Sequence, residues 1–377
     1  MKLTLGHSHK RVLECLRRYD PMPRNQLAAL LGLTAGSLTR ISRDLIEAGL
    51  VCEGEKIASG RGQPALPLAL NGSGAYSLGI TFHLKEMEVV LLDFAGNVEH
   101  KKRVPFDAQN PENIPANTAE VLPQMLAQAG VAREQVLGVG MAFSGYFHRY
   151  TGDFQPPEPL RRWRSGELQE RFTAELGLPV FADNVANAAA LAEFYSGQWR
   201  GVENVVCLHL GYGVGGALIL NGQPFRGTSG NAGEIGGMFP YSMPRPSGRD
   251  LVQTLNLAGE TCNSFKDISR FVGAGNAVFD GWIQRAANQL LQAIGSAHWW
   301  LAPQVIIIGG LLPKEVVGVL TDALHIEKLF EDKPEFPRPL LRATDIGSSA
   351  SAIGAAYLPI YSLCGTDPNR IQLDIPS

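Results

Sequence analysis

The stretch LPVFADNVANAAALAE, residues 178–193, decides how the chain is read. An apolar run ends in the polar pair Asp183-Asn184, and an alanine-rich segment of helical character follows. A turn of this kind, at the end of a strand and the start of a helix, is where an α/β protein places its working groups. Yet the next residue is Val185, which can neither take nor give a proton. The stretch is therefore a catalytic site, the remains of one, or a helix cap. Its surroundings set the fold. From about Ser73, AYSLGITFHLKEMEVVLLDFAGNVEHKKRVPF reads as three strands with a DFAGN hairpin turn. Helices then alternate with strands: a helix over 111–129, the strand VLGVGMAFSGYF, a helix over 167–176, and the strand PVFAD. NVVCLHLGYGVGGALILNGQPF reads as two more strands joined by glycines. A helix over about 275–301, the strand QVIIIGG and a last helix near SSASAIGAAYLPI follow. Strands that first meander and then alternate with helices, twice over, predict a two-lobed α/β body with a cleft between the lobes.

Composition sets the outer limits. The chain has 377 residues, 45% hydrophobic and 18% charged, the texture of a soluble globular protein of two or three domains. No apolar run reaches the roughly 18 residues of a membrane span, and the first residues carry no signal-peptide core, so the expectation is a cytoplasmic protein without a membrane partner. Five scattered cysteines with no C-x-x-C pair predict reduced, mostly packed thiols. Residues 1–72 hold ten Lys/Arg against six Asp/Glu, a balance of +4, while the rest holds 23 against 30, a balance of −7. A basic head on an acidic body suggests that the head meets a polyanion.

The head supports that suggestion. Val12, Leu13, Leu16 and Tyr19 recur at helical spacing. A short helix over Asn25–Leu31 is followed by Gly32 at a turn that favours positive φ, and Thr34 is placed to cap a second helix running to about Ala48. This is a helix-turn-helix pattern, with the second helix as the reader of a DNA major groove. Ser37, Arg40 and Arg43 would lie on its exposed face, and Arg24 and Thr34 at the start of the two helices complete the candidate DNA contacts. GLVCEG and PALPLALN flank a polar loop, a wing-like hairpin. In it GRGQP places Arg61 between glycines, either as a minor-groove hook or in a plain solvated loop.

LPVFADNVANAAALAE, LGYGVGGALILNGQPFRGTSGNAGEIGG (210–237) and APQVIIIGGLL (302–312) resemble the ROK family (repressor, open reading frame, kinase), over nearly the whole chain. The head resembles the branch of sugar-responsive transcriptional repressors. The resemblance implies an actin-like, hexokinase-like body over 73–377, dimers or tetramers, and a sugar pocket between the lobes. The lobes are expected at 73–185 plus the C-terminal segment, and at 186–355, behind a winged helix-turn-helix domain over 1–72.

A kinase of this family needs a carboxylate base, two open turns for the ATP phosphates, sugar-holding groups and usually a zinc site. The base is the Asp of Asn-Asp-Ala-Asn; here the motif reads Asn184-Val185-Ala186-Asn187, and the displaced Asp183 is expected to cap the helix. The first phosphate turn, Asp-x-Gly-Gly-Thr in the family, reads Thr81-Phe82-His83-Leu84-Lys85. The second keeps Gly211, Gly213 and Gly215 but puts the bulk of Tyr212 where a phosphate would lie, and reads as a bend between strands. The zinc-binding His position is Gly237, and no Cys or His follows in MFPYSMPRPSGRDLVQTL, so no metal and no cofactor are expected. Asn184 and Glu234 match positions that hold sugar hydroxyls, and Gly145 lies on the pocket wall. Of the tryptophans, which could stack on a sugar ring, Trp299 and Trp300 are expected in the core or between the lobes. The sequence thus predicts a DNA-binding repressor of carbohydrate metabolism with a catalytically silent, effector-sensing body. Its partners would be a double-stranded DNA operator, a carbohydrate or sugar-phosphate effector, and a second copy in a homodimer or homotetramer. A sugar kinase with a regulatory head and a ligand-independent DNA binder are the alternatives.

Overall fold

The computed structural model describes residues 4–54, 66–83, 86–106, 110, 113–148, 154–156 and 165–365. The head comprises α1 (His7–Tyr19), β1 (Met22–Pro23), α2 (Arg24–Leu31), α3 (Ala35–Glu47), β2 (Val51–Glu53) and β3 (Pro67–Leu70). Val12, Leu13 and Leu16 of α1 pack against Leu27, Leu38, Ile41 and Leu45. Gly32 ends α2 at φ 63°, and the Thr34 hydroxyl accepts from the Ser37 N–H at 3.2 Å, as the turn and the cap require. β2 and β3 pair antiparallel as a wing, with β1 on the far side of β3. Arg61 lies outside the described residues.

The first lobe of the body contains β4 (Tyr76–Phe82), β5 (Glu86–Asp93), β6 (Val98–Pro105), α4 (Ile114–Ala129), β7 (Val136–Phe143), β8 (Tyr146–Phe147), β9 (Phe154–Gln155), α5 (Ser165–Leu176) and β10 (Val180–Asn184). Its sheet runs β6-β5-β4-β7-β10, antiparallel through the meander and parallel beyond β4. After α6 (Val185–Phe194) the plan repeats with β11 (Val205–Leu210), β12 (Val214–Leu220), β13 (Gln223–Phe225), α7 (Gly248–Leu257), α8 (Ala277–Leu301), β14 (Val305–Gly310), α9 (Lys314–Asp322) and β15 (Leu340–Ala343). The second sheet runs β13-β12-β11-β14-β15, the same strand order, with the same switch from antiparallel to parallel at its first strand. α10 (Ala350–Cys364) returns to the first sheet.

Two helices join the lobes. α6 is buried from Ala186 to Phe194 and consists largely of alanine, because it is enclosed by α10 and by the second sheet. Close approach explains the small residues: a Cβ on Gly354 would overlap the Ala188 carbonyl, and one on Gly140 would overlap that of Ala355. Ser77 donates to the Ala356 carbonyl at 2.5 Å, fixing α10 on β4. The tryptophans depart from expectation. Trp282 is core, but Trp299 is 47% and Trp300 88% exposed, because they lie on the outward side of the last turn of α8 while Leu290, Ala293, Ile294 and His298 face inward. Trp163 lies outside the described residues.

Candidate functional site

β10 and α6 meet at Asp183-Asn184. The cap is Asn184, not Asp183: the Asn184 side-chain oxygen accepts from the Ala186 N–H at 2.7 Å. The expectation that Asp183 caps fails because this carboxylate is drawn the other way. It is 4% exposed and accepts from Arg226 Nε and Nη2 at 2.9 and 2.6 Å, and from the Asn187 amide at 2.8 Å. A buried carboxylate held by two of the three nitrogens of a guanidinium is an anchor between the lobes, not a base facing a hydroxyl. Nothing in the spacing of the sequence marks Arg226 as its partner, since 43 residues separate them.

Asn184, Gly145 and Glu234 come together. The Asn184 amide donates to the Gly145 carbonyl at 2.7 Å and to the Glu234 carboxylate at 3.2 Å. Gly145 takes φ 141°, and any side chain there would strike the Gln155 carbonyl. Glu234 is open to solvent at the start of a single helical turn, and partial burial raises its carboxyl. A strap beside them escaped sequence reasoning: Asn231 donates to the Phe147 carbonyl at 2.8 Å and accepts from the Phe147 N–H at 2.7 Å, tying β8 of the first lobe to the loop of the second. Both N–H groups of the Asn184 amide are engaged, while the Glu234 carboxylate beside it keeps lone pairs that can accept from a ligand hydroxyl.

The end of β4 carries Phe82 and His83, and Phe82 joins the core of the first lobe. Phe82 stacks on Phe143 with ring centroids 4.8 Å apart. The His83 ring lies 3.6 Å from the Glu88 carboxylate, which is completely buried. Burial would raise Glu88, but the His83 ring, the Ser349 hydroxyl (2.7 Å) and the charge of Arg103 outweigh it and hold the carboxyl below its ordinary value. Burial, with His83 adding, pushes the nearby His209 down to about 4. On the second turn Tyr212 packs against Phe265 at 4.9 Å between β11 and β12. Val185 packs on Ala142, Ala188 and Ala355, an apolar setting for the position of the missing base.

Glu193, at the other end of α6, is 5% exposed and bonded to the Thr344 hydroxyl. Burial raises its carboxyl to about 7. A carboxyl raised on folding binds its proton more tightly in the folded state, so its contribution is full below the ordinary value of 4.5 and is lost as pH rises toward 7. Urea melts at pH 5 and pH 8 should show Glu193→Gln flattening this slope, by on the order of 2–3 kcal/mol. Equal slopes in variant and wild type would remove the assignment.

In the head, Arg40 and Arg43 stand 65% and 67% exposed on α3, with only loose pairings to Asp44 (4.0 Å) and Glu47 (3.9 Å). Thr34 and Ser37 are engaged with one another at 2.9 Å at the start of the helix. Arg24 is drawn to the wing, donating to Glu53 at 2.6 Å, and so sits apart from the α3 face. The head is also fastened to the body, which the sequence did not reveal. Arg17 donates to the Phe94 carbonyl and Arg18 to that of Val202, both at 2.8 Å; the Tyr195 hydroxyl donates to Glu14 and Arg200 donates to the Asp20 carbonyl. Among the described residues no helix is long and apolar enough to cross a membrane.

Comparison with known proteins agrees with this architecture. Residues 77–361 match the ROK family model and residues 5–52 that of the MarR family. An uncharacterised protein, y4fQ, of Sinorhizobium fredii is 28% identical over 95% of this chain and 91% of its own length. The xylose repressor of Caldicellulosiruptor bescii is 26% identical over 60% of this chain and 56% of its own length. A crystal structure described as a ROK family transcriptional regulator, a homologue of the Escherichia coli MLC protein, superposes with a TM-score of 0.70 at 23% identity, over 95% of this chain and 98% of that one.

Proposed function

The chain belongs to the ROK family, and from that premise we propose that it is a sugar-responsive transcriptional repressor whose kinase-like body senses rather than phosphorylates. The observation that carries the reading is the pairing of a winged helix-turn-helix head with a cleft that brings Asn184, Gly145 and Glu234 together and carries Phe82 and His83 where the family has an open phosphate turn. Arg40 and Arg43 read an operator in the major groove, and a carbohydrate or its phosphate ester binds between Asn184, Gly145 and Glu234. Closing the lobes works on α1 directly, because α1 touches the first lobe at Phe94, the second at Val202, and Tyr195 just beyond α6. The two heads of a homo-oligomer then no longer match their half-sites. Light scattering that reads a monomer at micromolar concentration would remove the oligomer from this scheme.

The test is a thermal-shift screen of the full chain against sugars and sugar phosphates, followed by DNA binding with and without the hits. A ligand at 100 times its Kd adds about 2.7 kcal/mol of stability. Hits that leave DNA affinity unchanged, or the absence of any hit, would point to a ligand-independent DNA binder. On DNA, Arg40→Ala should cost about 1–3 kcal/mol at one or two operator bases. An equal loss on every sequence, with a smaller salt slope, would assign Arg40 to phosphate contacts alone.

Val185→Asp should not create a kinase. A base acts only on a hydroxyl aligned with a phosphoryl group, and here Phe82 and His83 replace the glycines of the first phosphate turn while Tyr212 stands on the second. A coupled assay of ADP release over a panel of hexoses and N-acetylated sugars should stay at background. Sugar-dependent turnover would show that the phosphate site works and that Val185 is the sole lesion.

A further inference from the structure

A cavity of about 310 Å³ lies between the head and the body, away from the cleft of Asn184 and Glu234. Arg17, Arg18 and Asp20 line it from the head, Asn97 from the turn between β5 and β6, and Ser196 and Arg200 from the segment that leaves α6. Three guanidinium groups against one carboxylate make the lining cationic. Each arginine uses one nitrogen on a backbone carbonyl, of Phe94, Val202 and Asp20 respectively. Since a guanidinium carries five N–H donors, most remain for a ligand. Two atoms of the lining have no partner among the described residues: Arg17 Nη2, on a side chain only 7% exposed, and Asp20 Oδ1. One is a donor and the other an acceptor. Packing leaves Arg17 Nη2 unsatisfied, which is costly for an enclosed donor, while the Asp20 carboxyl has the Leu70 backbone and the charges of Arg17 and Arg200 beside it.

We propose that this junction is a second ligand site, one that takes a small phosphate monoester carrying hydroxyl groups. The phosphate sits on the arginines, whose planar donors match its oxygens, and a ligand hydroxyl donates to Asp20. The volume is at the lower end for small-molecule pockets and suits a compact metabolite. Such a ligand touches α1, the β5–β6 turn and the end of α6 at once. It therefore holds the head in one stance on the body, and its binding is linked to that of DNA.

The experiment is calorimetric titration of the full chain, free of DNA, with glucose 6-phosphate, inorganic phosphate and glucose as probes. Glucose 6-phosphate should bind, inorganic phosphate should compete with it, and glucose should not displace it. Arg200→Ala and Arg18→Gln should each weaken glucose 6-phosphate by about tenfold or more. Asp20→Asn should weaken glucose 6-phosphate and spare inorganic phosphate. Arg40→Ala, on the DNA face and outside both ligand sites, should leave the affinity unchanged. Should Arg18→Gln fail to fold, Arg200→Ala carries the test, since Arg200 is exposed. The proposal is overturned if neither phosphate probe binds at millimolar concentration. It is equally overturned if Asn184→Ala abolishes binding while Arg200→Ala preserves it, because the ligand then belongs to the cleft. Failure here leaves the repressor reading standing, which is decided by the sugar screen and by DNA binding.

Discussion

Arg226→Ala should destabilise the protein by about 3–5 kcal/mol, the cost of removing one partner from a buried ion pair. The effect follows from Asp183. At 4% exposure the carboxylate cannot recover its hydration, and its other donors, the Asn187 amide and the Asn184 N–H, are neutral groups that do not replace two charge-assisted bonds. Because the pair bridges β10 and the residue just beyond β13, its loss also loosens the cleft, and Asn184, the next residue, loses its fixed direction. Asp183→Asn in the same chain should restore most of the stability, since an asparagine needs no countercharge. Denaturant melts of the two single variants and the double variant give the coupling energy directly. A single variant Arg226→Ala with wild-type stability would show that solvent reaches Asp183 and that the pair is dispensable.

The second large effect is expected at Gly354. A methyl group there overlaps the Ala188 carbonyl on the facing helix, and neither helix can retreat, because α6 is enclosed on its far side by β11 and β12 and α10 rests on the first sheet. Gly354→Ala should therefore cost about 3 kcal/mol through overpacking, in spite of alanine's better helix propensity. Gly281 in α8 supplies the contrast. It has open space where a Cβ would stand, so Gly281→Ala should stabilise by about 0.5–1 kcal/mol. Thermal melts of the two variants test the pair. If both substitutions stabilise, the helices can part, and the close contact of α6 with α10 does not hold the lobes together.

Local signals explain which parts were legible in the sequence. Gly32 and Thr34 announce the turn and the cap of the head because both act within three residues. The meandering and alternating strands announce the lobes because hydrophobic periodicity is local too. Asn184 and Glu234 were found through a motif, and Val185 through a departure from it. The misses share another character. Asp183 read as a cap because a carboxylate before a helix usually is one, and the arginine that claims it lies 43 residues away. Trp299 and Trp300 read as buried because size and apolarity favour burial, whereas their place on the last turn of α8 turns them to solvent. The junction was invisible because Arg17 and Arg18 look like ordinary surface charges at the end of a helix until Phe94, Tyr195 and Val202 are placed beside them.

The return of α10 to the first sheet governs how the chain is made. Ser77 must wait for Ala356, 279 residues later, and at ribosomal speeds of about 5–20 residues per second that delay is roughly 15–60 s. Through that interval the face of β4 and β7 that α10 will cover stays bare, and α1 lacks Tyr357, part of its seat. The nascent chain thus carries this close-packing face, lined by Ser77, Gly79, Gly140 and Ala142, uncovered until its last helix is made, open to holding chaperones and to collision with its neighbours on the same messenger RNA. Expression at lower temperature, where apolar association weakens, is the condition under which such a late-closing body is best recovered intact.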